Sequence, residues 1–204
     1  VRNITYQNTD TNAPTTGART VRFALTDGDG GTSPTYDATV TVSGVNDAPV
    51  LADTALSLTV AEDAGVPSRA VGSVVSAFTG GITDVDNGAS KGLAITGSNQ
   101  TNGTWYYTRN GGTTWTAIGT VSNTSALLLA DNASTRLYFA PNANYNGTST
   151  AALTVRAWDQ SSGTAGTKVS TASNGGITAF SSATDTVNVT VTAVNDASTI
   201  TSLS

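Results

Sequence analysis

The chain lacks two residue types altogether, because its 204 residues include no cysteine and no histidine. The first absence excludes disulfides and thiolate zinc sites, and the second excludes imidazole bases and Ser-His nucleophile pairs. One enzyme hypothesis stays open, such as a glycosidase in which two carboxylates act as acid and nucleophile. We expect no enzyme, because the acids lie in turn and linker motifs and show no sign of a catalytic pair.

Charge is also scarce, since charged residues make up 11% of the chain and the formal net charge is −5. With only 9 Lys and Arg, the chain offers no basic stripe for nucleic-acid phosphates. No apolar run approaches the roughly 20 residues that cross a bilayer, and no signal-peptide pattern opens the sequence. We therefore expect no nucleic-acid partner and no membrane insertion. We also expect an internal piece of a longer secreted protein.

What the sequence does contain is alternation of Val and Thr with polar residues, in short runs separated by Gly, Asn and Asp turns. No helical stretch between these runs is long enough for a parallel crossover. The pattern predicts an all-β fold, an antiparallel Greek-key β-sandwich of the cadherin or immunoglobulin type. Strands are predicted at residues 19–25, 38–43, 56–60, 93–96, 103–108, 114–118, 136–139, 152–158 and 186–192.

The segment from Trp105 to Trp115 predicts a hairpin with a tight primed turn at Asn110-Gly111, because such turns need positive φ angles. It resembles the Asp-box pattern, with Asn110 in place of the Asp, and in families that carry that motif it is structural. The two tryptophans are therefore expected in the core or in strand pairing, in preference to a sugar-binding platform.

One phrase occurs twice, as Val-Asn-Asp-Ala at 45–48 and again at 194–197, each time after a Val-Thr strand pattern. Residues 23–27 likewise align with 155–159. We predict three parts: residues 1–48 as the second half of a repeat, 49–196 as a full enlarged domain, and 197–204 as the start of the next linker. The enlargement lies in Gln160–Ser182, a Gly, Ser and Thr-rich stretch that reads as an elaborated loop.

All acids except Glu62 are Asp, whose short carboxylate suits a hard cation held by turns, although isolated Asp residues also serve as solubilising turn residues. Acids are paired in three motifs, none of which is an EF-hand loop. Calcium takes six to eight oxygen ligands from several loops, which makes it the candidate metal. The pairs are Asp27 with Asp29, Glu62 with Asp63, and Asp84 with Asp86.

These motifs together resemble the cadherin-like repeats of large bacterial repeats-in-toxin adhesins. The residues that carry the resemblance are Val45–Pro49, Ala61–Asp63, Thr83–Asp86, Pro141–Gly147 and Arg156–Asp159. The resemblance implies several bound Ca²⁺ ions and calcium-stiffened joints to neighbouring repeats. It implies one joint at Asn46, Asp47, Asp84, Asp86 and Asp159, a second at Glu62, Asp63, Asn195 and Asp196, and an upstream site at Asp27 and Asp29.

The resemblance leaves two functions open besides the enzyme. One is a calcium-dependent module that binds a peptide or protein, or a glycan, on a target cell, and the other is a passive extender of the same adhesin. We favour the binder, because a spacer has no use for an enlarged loop and an added aromatic hairpin. Either would act outside the cell, on a bacterial cell surface, in attachment and biofilm formation. The predicted ligand-binding residues are Asp159, Gln160, Asn174 and Gly175.

Overall fold

The computed structural model describes residues 4–10 and 12–198. These residues form fourteen strands and one short 3-10 helix at Val75–Phe78. No helix among them has the length and apolar character that a membrane crossing requires. In chain order the strands are β1 (Gly17–Phe23), β2 (Tyr36–Val42), β3 (Val50–Leu51), β4 (Leu56–Ala61), β5 (Ser73–Val74), β6 (Ile82–Thr83), β7 (Gly92–Ser98), β8 (Gly103–Thr108), β9 (Thr116–Ala117), β10 (Ala126–Ala130), β11 (Arg136–Pro141), β12 (Gly147–Trp158), β13 (Lys168–Val169) and β14 (Asp185–Thr192).

Two sheets make up most of the fold. One has six strands in the order β13-β10-β7-β12-β14-β4, and the other has four in the order β5-β11-β8-β9. Neighbours are antiparallel except β14 and β4, which run parallel from Val187 opposite Leu56 to Thr192 opposite Ala61. The prediction of an all-β sandwich is confirmed, while the Greek-key connectivity stays a prediction.

The core lies between these sheets and is built by the alternating apolar residues of their strands. Trp105 is fully buried, and its ring centroid lies 5.2 Å from that of Phe139 on the paired strand β11. Trp115 is half-buried and packs edge-on against Tyr138, with 5.9 Å between the ring centroids. The tryptophans thus have the packing and strand-pairing positions that the sequence predicts.

Strand β10 is absent from the predicted strands, because its sequence Ala-Leu-Leu-Leu-Ala shows no alternation. All five residues are buried, since both faces of the strand are covered. Leu127 and Leu129 belong to the main core, whereas Leu128 packs in a second cluster with Trp158 and Phe180. A strand buried on both sides reads as an apolar run and cannot be recognised by period alone.

The segment 160–182 is a packed cover and not a free loop. It contains β13, which pairs with the edge of β10, and it places Ala179 and Phe180 against the outer face of the six-stranded sheet. Trp158 Nε1 donates a hydrogen bond of 2.7 Å to the Ser162 carbonyl within the same segment. The enlargement therefore extends the core to a second layer.

The loop that joins β8 and β9 is not the tight Asn-Gly turn that the sequence predicts. Strand β9 begins at residue 116, so the connection is longer than two residues. The Asn110 side chain closes this loop: its Oδ1 accepts a hydrogen bond from Thr114 N (3.0 Å), and its Nδ2 donates to Thr114 Oγ1 (2.9 Å). Gly111 N donates to the Ser134 carbonyl at 2.9 Å, outside the hairpin. These bonds favour the wide loop over a two-residue turn.

Strands β1 and β2 form a separate two-stranded sheet that repeats the pairing of β12 and β14. Gly17 lies opposite Val42, as Gly147 lies opposite Val191. The register is the same except for a bulge in β12, which makes that strand start earlier than predicted. Within residues 4–48, no described residue is fully buried. The hairpin thus has the pairing of a sandwich strand pair and little of its core.

Candidate metal centre

The first Val-Asn-Asp-Ala segment is fastened to the sandwich by polar contacts. Asn46 Nδ2 donates to Asp159 Oδ2 at 2.9 Å and to the Thr178 carbonyl at 3.2 Å. Asp47 N donates to Asp86 Oδ2 at 2.8 Å. The next residue of the linker donates its backbone N–H to the Gly176 carbonyl at 2.8 Å. The linker therefore lies between the turn after β6 and the segment after β12.

The turn after β6 supplies two of the predicted carboxylates. Asp86 N donates to Asp84 Oδ1 at 2.9 Å, and the turn closes through Ala89 N and the Asp86 carbonyl at 3.3 Å. Gly88 has a φ of +79°, which a glycine adopts without strain. The other oxygen of Asp84, Oδ2, is buried and has no hydrogen-bond partner. Such an oxygen is costly, because desolvation of the charged group is not compensated.

The environment of Asp84 disfavours its charged form. Burial raises the pKa of Asp84 above its ordinary value, and the hydrogen bond from Asp86 N opposes that shift. Negative charge nearby raises the pKa of Asp84 further, and it comes from Asp86, Asp159 and Asp47. Carboxylates from the linker, the turn and the end of β12 therefore each lie close enough to Asp84 to disfavour its charge.

Asp159 ends β12 and is 6% exposed. Its Oδ1 accepts a hydrogen bond from Ser161 N at 2.7 Å, and its backbone N–H donates to the Ala179 carbonyl at 3.1 Å. No cationic side chain forms an ion pair with these carboxylates. Over residues 4–10 and 12–198, the ion pair present is Arg22 with Asp37, at 2.7 Å in the β1–β2 hairpin. Lys91 lines a pocket together with Asp84 and Asp86 but forms no ion pair with them in the described part of the chain.

These groups match a calcium ion in their chemistry but not in their spacing. Their chemistry fits, because the donors are carboxylate and carbonyl oxygens and one carboxylate oxygen is buried without a partner. Their spacing does not yet fit, since no three Asp, Glu, His or Cys side chains of the described chain are arranged as a formed metal site. Asn46 explains part of the difference, because it turns its Nδ2 toward Asp159. An ion that takes only oxygen ligands would have to displace this hydrogen bond.

The predicted ligands of the second joint lie where β4 and β14 end. Glu62 is 5% exposed, and its carboxylate accepts hydrogen bonds from Asn146 Nδ2 (3.2 Å) and Val194 N (3.0 Å). Asp63 has a φ of +59° and accepts a bond from a backbone N–H at 3.2 Å. The side chains of Asn195 and Asp196 are exposed and make no hydrogen bond within the described residues. Glu62 therefore contacts the linker backbone, and the side chains of Asn195 and Asp196 take no part in this contact.

Asp27 and Asp29 lie in the exposed loop of the β1–β2 hairpin. Asp27 Oδ1 accepts hydrogen bonds from Asp29 N (3.2 Å) and Gly31 N (2.9 Å). Hydrogen bonding from Asp29 lowers the pKa of Asp27 below its ordinary value. Asp159 makes the same contact two residues ahead, to Ser161 N. The hydrogen bonds connect Asp27 and Asp29 to their own loop and to none of the other predicted ligands.

The four predicted ligand-binding residues are only partly brought together. Gly175 is connected to Asp159 through Thr178 and Asn46. Thr178 N donates to the Gly175 carbonyl at 3.1 Å, and the Thr178 carbonyl accepts a hydrogen bond from Asn46 Nδ2, which also donates to Asp159. Gln160 instead donates its side-chain amide to the Lys91 carbonyl. Asn174 donates its side-chain amide to carbonyls of its own segment, at 3.0 and 3.2 Å. Their role in binding stays a prediction.

Several groups at this site carry no sequence signal. The carbonyls of Gly176 and Thr178 hold the linker, but any residue type offers a carbonyl, so no pattern marks them. A cleft of about 520 Å³ adjoins the cluster and is likewise unmarked in the sequence. Its walls come from three segments that only the fold brings together: Ala13, Pro14, Thr15, Thr16, Gly44, Val45, Asn46, Asp86 and Asn87.

Comparisons with protein families, curated proteins and solved structures give no match to this chain.

Proposed function

We propose that this chain is a calcium-dependent module of a bacterial cell-surface adhesin that binds a peptide or protein ligand on a target cell. Calcium would be held by oxygens of Asn46, Asp47, Asp84, Asp86 and Asp159. The observation that carries the proposal is the buried Oδ2 of Asp84, which has no hydrogen-bond partner and lies on a carboxylate whose charge is disfavoured by Asp86, Asp159 and Asp47. The resemblance to cadherin-like adhesin repeats supports the same assignment.

A bound divalent cation would relieve two unfavourable features of this cluster, namely the negative charge around Asp84 and its unpartnered carboxylate oxygen. It would neutralise the repulsion among the carboxylates and give Asp84 Oδ2 a partner. Because an ion that binds only the folded state stabilises it by mass action, calcium at a hundred times its Kd would add about 2.7 kcal/mol. It would also tie the linker to the turn after β6, which stiffens the connection to the β1–β2 hairpin.

Ligand binding is supported by the cleft beside the cluster. The cleft of about 520 Å³ is lined by the linker, by residues 13–16 and by the turn that carries Asp86. Calcium accepts six to eight oxygens, so an ion at this edge has room for a carboxylate of the ligand. A peptide with a free carboxyl terminus is the simplest ligand of this chemistry.

Thermal unfolding with calcium and with a chelator tests the metal. We expect Tm to be about 5 °C or more higher in calcium. The double variant Asp84→Asn with Asp86→Asn should lose most of this difference, while Asp53→Asn, an exposed acid without a hydrogen bond, should keep it. Equal Tm values in calcium and chelator, together with no calcium by elemental analysis, would refute the metal assignment.

Calorimetric titration with short peptides tests the ligand. We expect binding in calcium by peptides with a free carboxyl terminus, and none by the same peptides with an amidated terminus or in chelator. A passive extender is the second candidate, favoured by the contact of Glu62 with Val194 N, which fixes the chain direction at the far end of the sandwich. A calcium-dependent Tm without peptide binding would replace the binder by the extender.

A further inference from the structure

Five asparagines of this chain are followed by glycine: Asn87, Asn102, Asn110, Asn146 and Asn174. Such pairs are prone to an intramolecular reaction, because glycine has no Cβ to shield its backbone nitrogen from the preceding side chain. The reaction requires that the asparagine amide can rotate onto that nitrogen and that the glycine N–H is not held by another acceptor. The structure distinguishes the five pairs by both requirements.

Asn110 and Asn174 fail both requirements. The Asn110 amide is bonded on both sides to Thr114, and Gly111 N donates to a carbonyl at 2.9 Å. The Asn174 amide donates to two carbonyls of its own segment, and Gly175 N donates to the Phe180 carbonyl at 2.8 Å. Local opening would have to precede reaction at either pair.

Asn102 and Asn146 are held at the ends of strands. Asn102 Nδ2 donates to Ser149 Oγ at 3.1 Å, and Gly103, the first residue of β8, is buried. Asn146 Nδ2 donates to Glu62 Oε1 at 3.2 Å, and the glycine that follows starts β12. In both pairs the amide is fixed and the glycine belongs to a sheet.

Asn87 meets both requirements. It is exposed, and its side chain makes no hydrogen bond within the described residues, nor does the backbone N–H of Gly88. The space around Gly88 is open, since no atom outside its immediate neighbours lies within 4 Å of where a Cβ would stand. The pair belongs to the turn of Asp84 and Asp86 and lies at the wall of the cleft.

We propose that Asn87 is a site of spontaneous deamidation in the folded protein. Gly88 N forms a bond to Asn87 Cγ, the Cγ–Nδ2 bond breaks, and ammonia leaves with the proton from Gly88 N. Water then opens the resulting succinimide at one of its two carbonyls, which yields aspartate or isoaspartate. The sequence of steps needs water only, with no oxidant or reductant.

Deamidation places a new carboxylate beside Asp84 and Asp86. The modified turn carries one more negative charge, and in the isoaspartate product one more atom in the backbone. The effect on calcium rests on the proposed function, whereas the modification does not. Asn87→Asp imitates the aspartate product, and we expect a larger difference in Tm between calcium and chelator for this variant than for the unmodified chain.

Peptide mapping tests the modification directly. The full chain is incubated in native buffer at mildly alkaline pH and digested with trypsin, and deamidation is followed by mass spectrometry with fragmentation. Each Asn-Gly pair falls in its own tryptic peptide: residues 70–91, 92–109, 110–136, 137–156 and 169–204. The first of these contains Asn87 as its sole asparagine, so its signal is unambiguous.

We expect deamidation of peptide 70–91 to be about fivefold or more faster than that of the other four pairs, since each of those must first lose hydrogen bonds. In urea the five rates should converge. Asn87→Gln should abolish the signal in 70–91, and the control Asn174→Gln should leave it unchanged. A native rate in 70–91 no faster than at the other pairs would overturn the proposal, whether or not calcium binds.

Discussion

The two Val-Asn-Asp-Ala segments have the same sequence and different surroundings. In the first, Asn46 and Asp47 are half-buried, and both make hydrogen bonds to acids of the sandwich. In the second, Asn195 and Asp196 are exposed, and the contact to the sandwich is made one residue earlier, by Val194 N. A short motif therefore does not determine its own surroundings, because its hydrogen-bond partners come from distant parts of the chain.

In each segment, a buried acid accepts one of the hydrogen bonds to the sandwich. Asp159 holds the first through the side chain of Asn46, and Glu62 holds the second through the backbone of Val194. A side-chain bond depends on the identity of the linker residue, whereas a backbone bond does not. Substitutions in the two linkers should therefore differ in their effect, even when the residue replaced is the same.

Replacing the linker asparagine should show the largest difference. Asn46→Ala removes the donor to Asp159 Oδ2 and to the Thr178 carbonyl, so it leaves a buried carboxylate oxygen unpaired. We expect a loss of about 1–3 kcal/mol in the free energy of unfolding. The matched variant Asn195→Ala should change it by less than about 0.5 kcal/mol. Urea unfolding of both variants in chelator measures the difference, and equal losses would show that the two linkers are held alike.

Neutralising the acid of the second segment should have a smaller effect. Glu62→Gln keeps one acceptor oxygen, so either the bond from Asn146 Nδ2 or the bond from Val194 N is lost. We expect a loss of about 1 kcal/mol. Asp63→Asn next to it is exposed and retains its acceptor, so it serves as the control with a change under about 0.5 kcal/mol. Hydrogen exchange at Val194 should increase in the first variant only.

Neutralising Asp84 should have the smallest effect and the opposite sign. The pKa of Asp84 is raised in the folded protein, so the folded state binds a proton at a higher pH than the unfolded chain does. In chelator, this residue's contribution to stability therefore improves as the pH falls through the raised pKa, and the gain is complete only below the ordinary pKa of Asp, about 3.9. Asp84→Asn should raise Tm in chelator and abolish the part of the pH dependence of stability that Asp84 contributes.

The pH profile of the free energy of unfolding checks this prediction against Asp53→Asn. A profile for Asp84→Asn that matches the unsubstituted chain in this range would contradict it. The calcium effect on Tm should shrink in the same variant, because the carboxylate with the unpartnered oxygen is gone. Stabilisation in chelator and loss of the calcium response in one variant would connect the acidic cluster to the metal.

Much of the fold follows from local pattern. Strand β8 begins and ends at the predicted residues 103 and 108, because its aromatic and Thr residues favour a strand. Strand β14 differs by one residue from its prediction, because its Val residues alternate with polar ones, as in a half-buried strand. Strand β10 and the cover of residues 160–182 could not be predicted this way. Both faces of β10 are buried, so its sequence does not alternate, and only two buried apolar residues of the polar cover, Ala179 and Phe180, mark its packing against the sheet.

The candidate site divides in the same manner. Asp47, Asp84, Asp86 and Asp159 could be named from their motifs, and the charges that act on Asp84 show that the other three lie near it. The carbonyls of Gly176 and Thr178 could not be named, because backbone acceptors leave no trace in residue type. The same holds for the cleft, whose walls come from separate segments.

The amino-acid sequence by itself determined the β class, the polar linkers and the residue types available for a hard cation, because these depend on composition and on the period of short runs. Only the tertiary structure decided which of the two identical linkers is embedded among carboxylates and which Asn-Gly pair is free to react. Both outcomes depend on hydrogen-bond partners far away in the chain, such as Asp159 for Asn46 and Glu62 for Asn146. Folding alone brings those partners within reach.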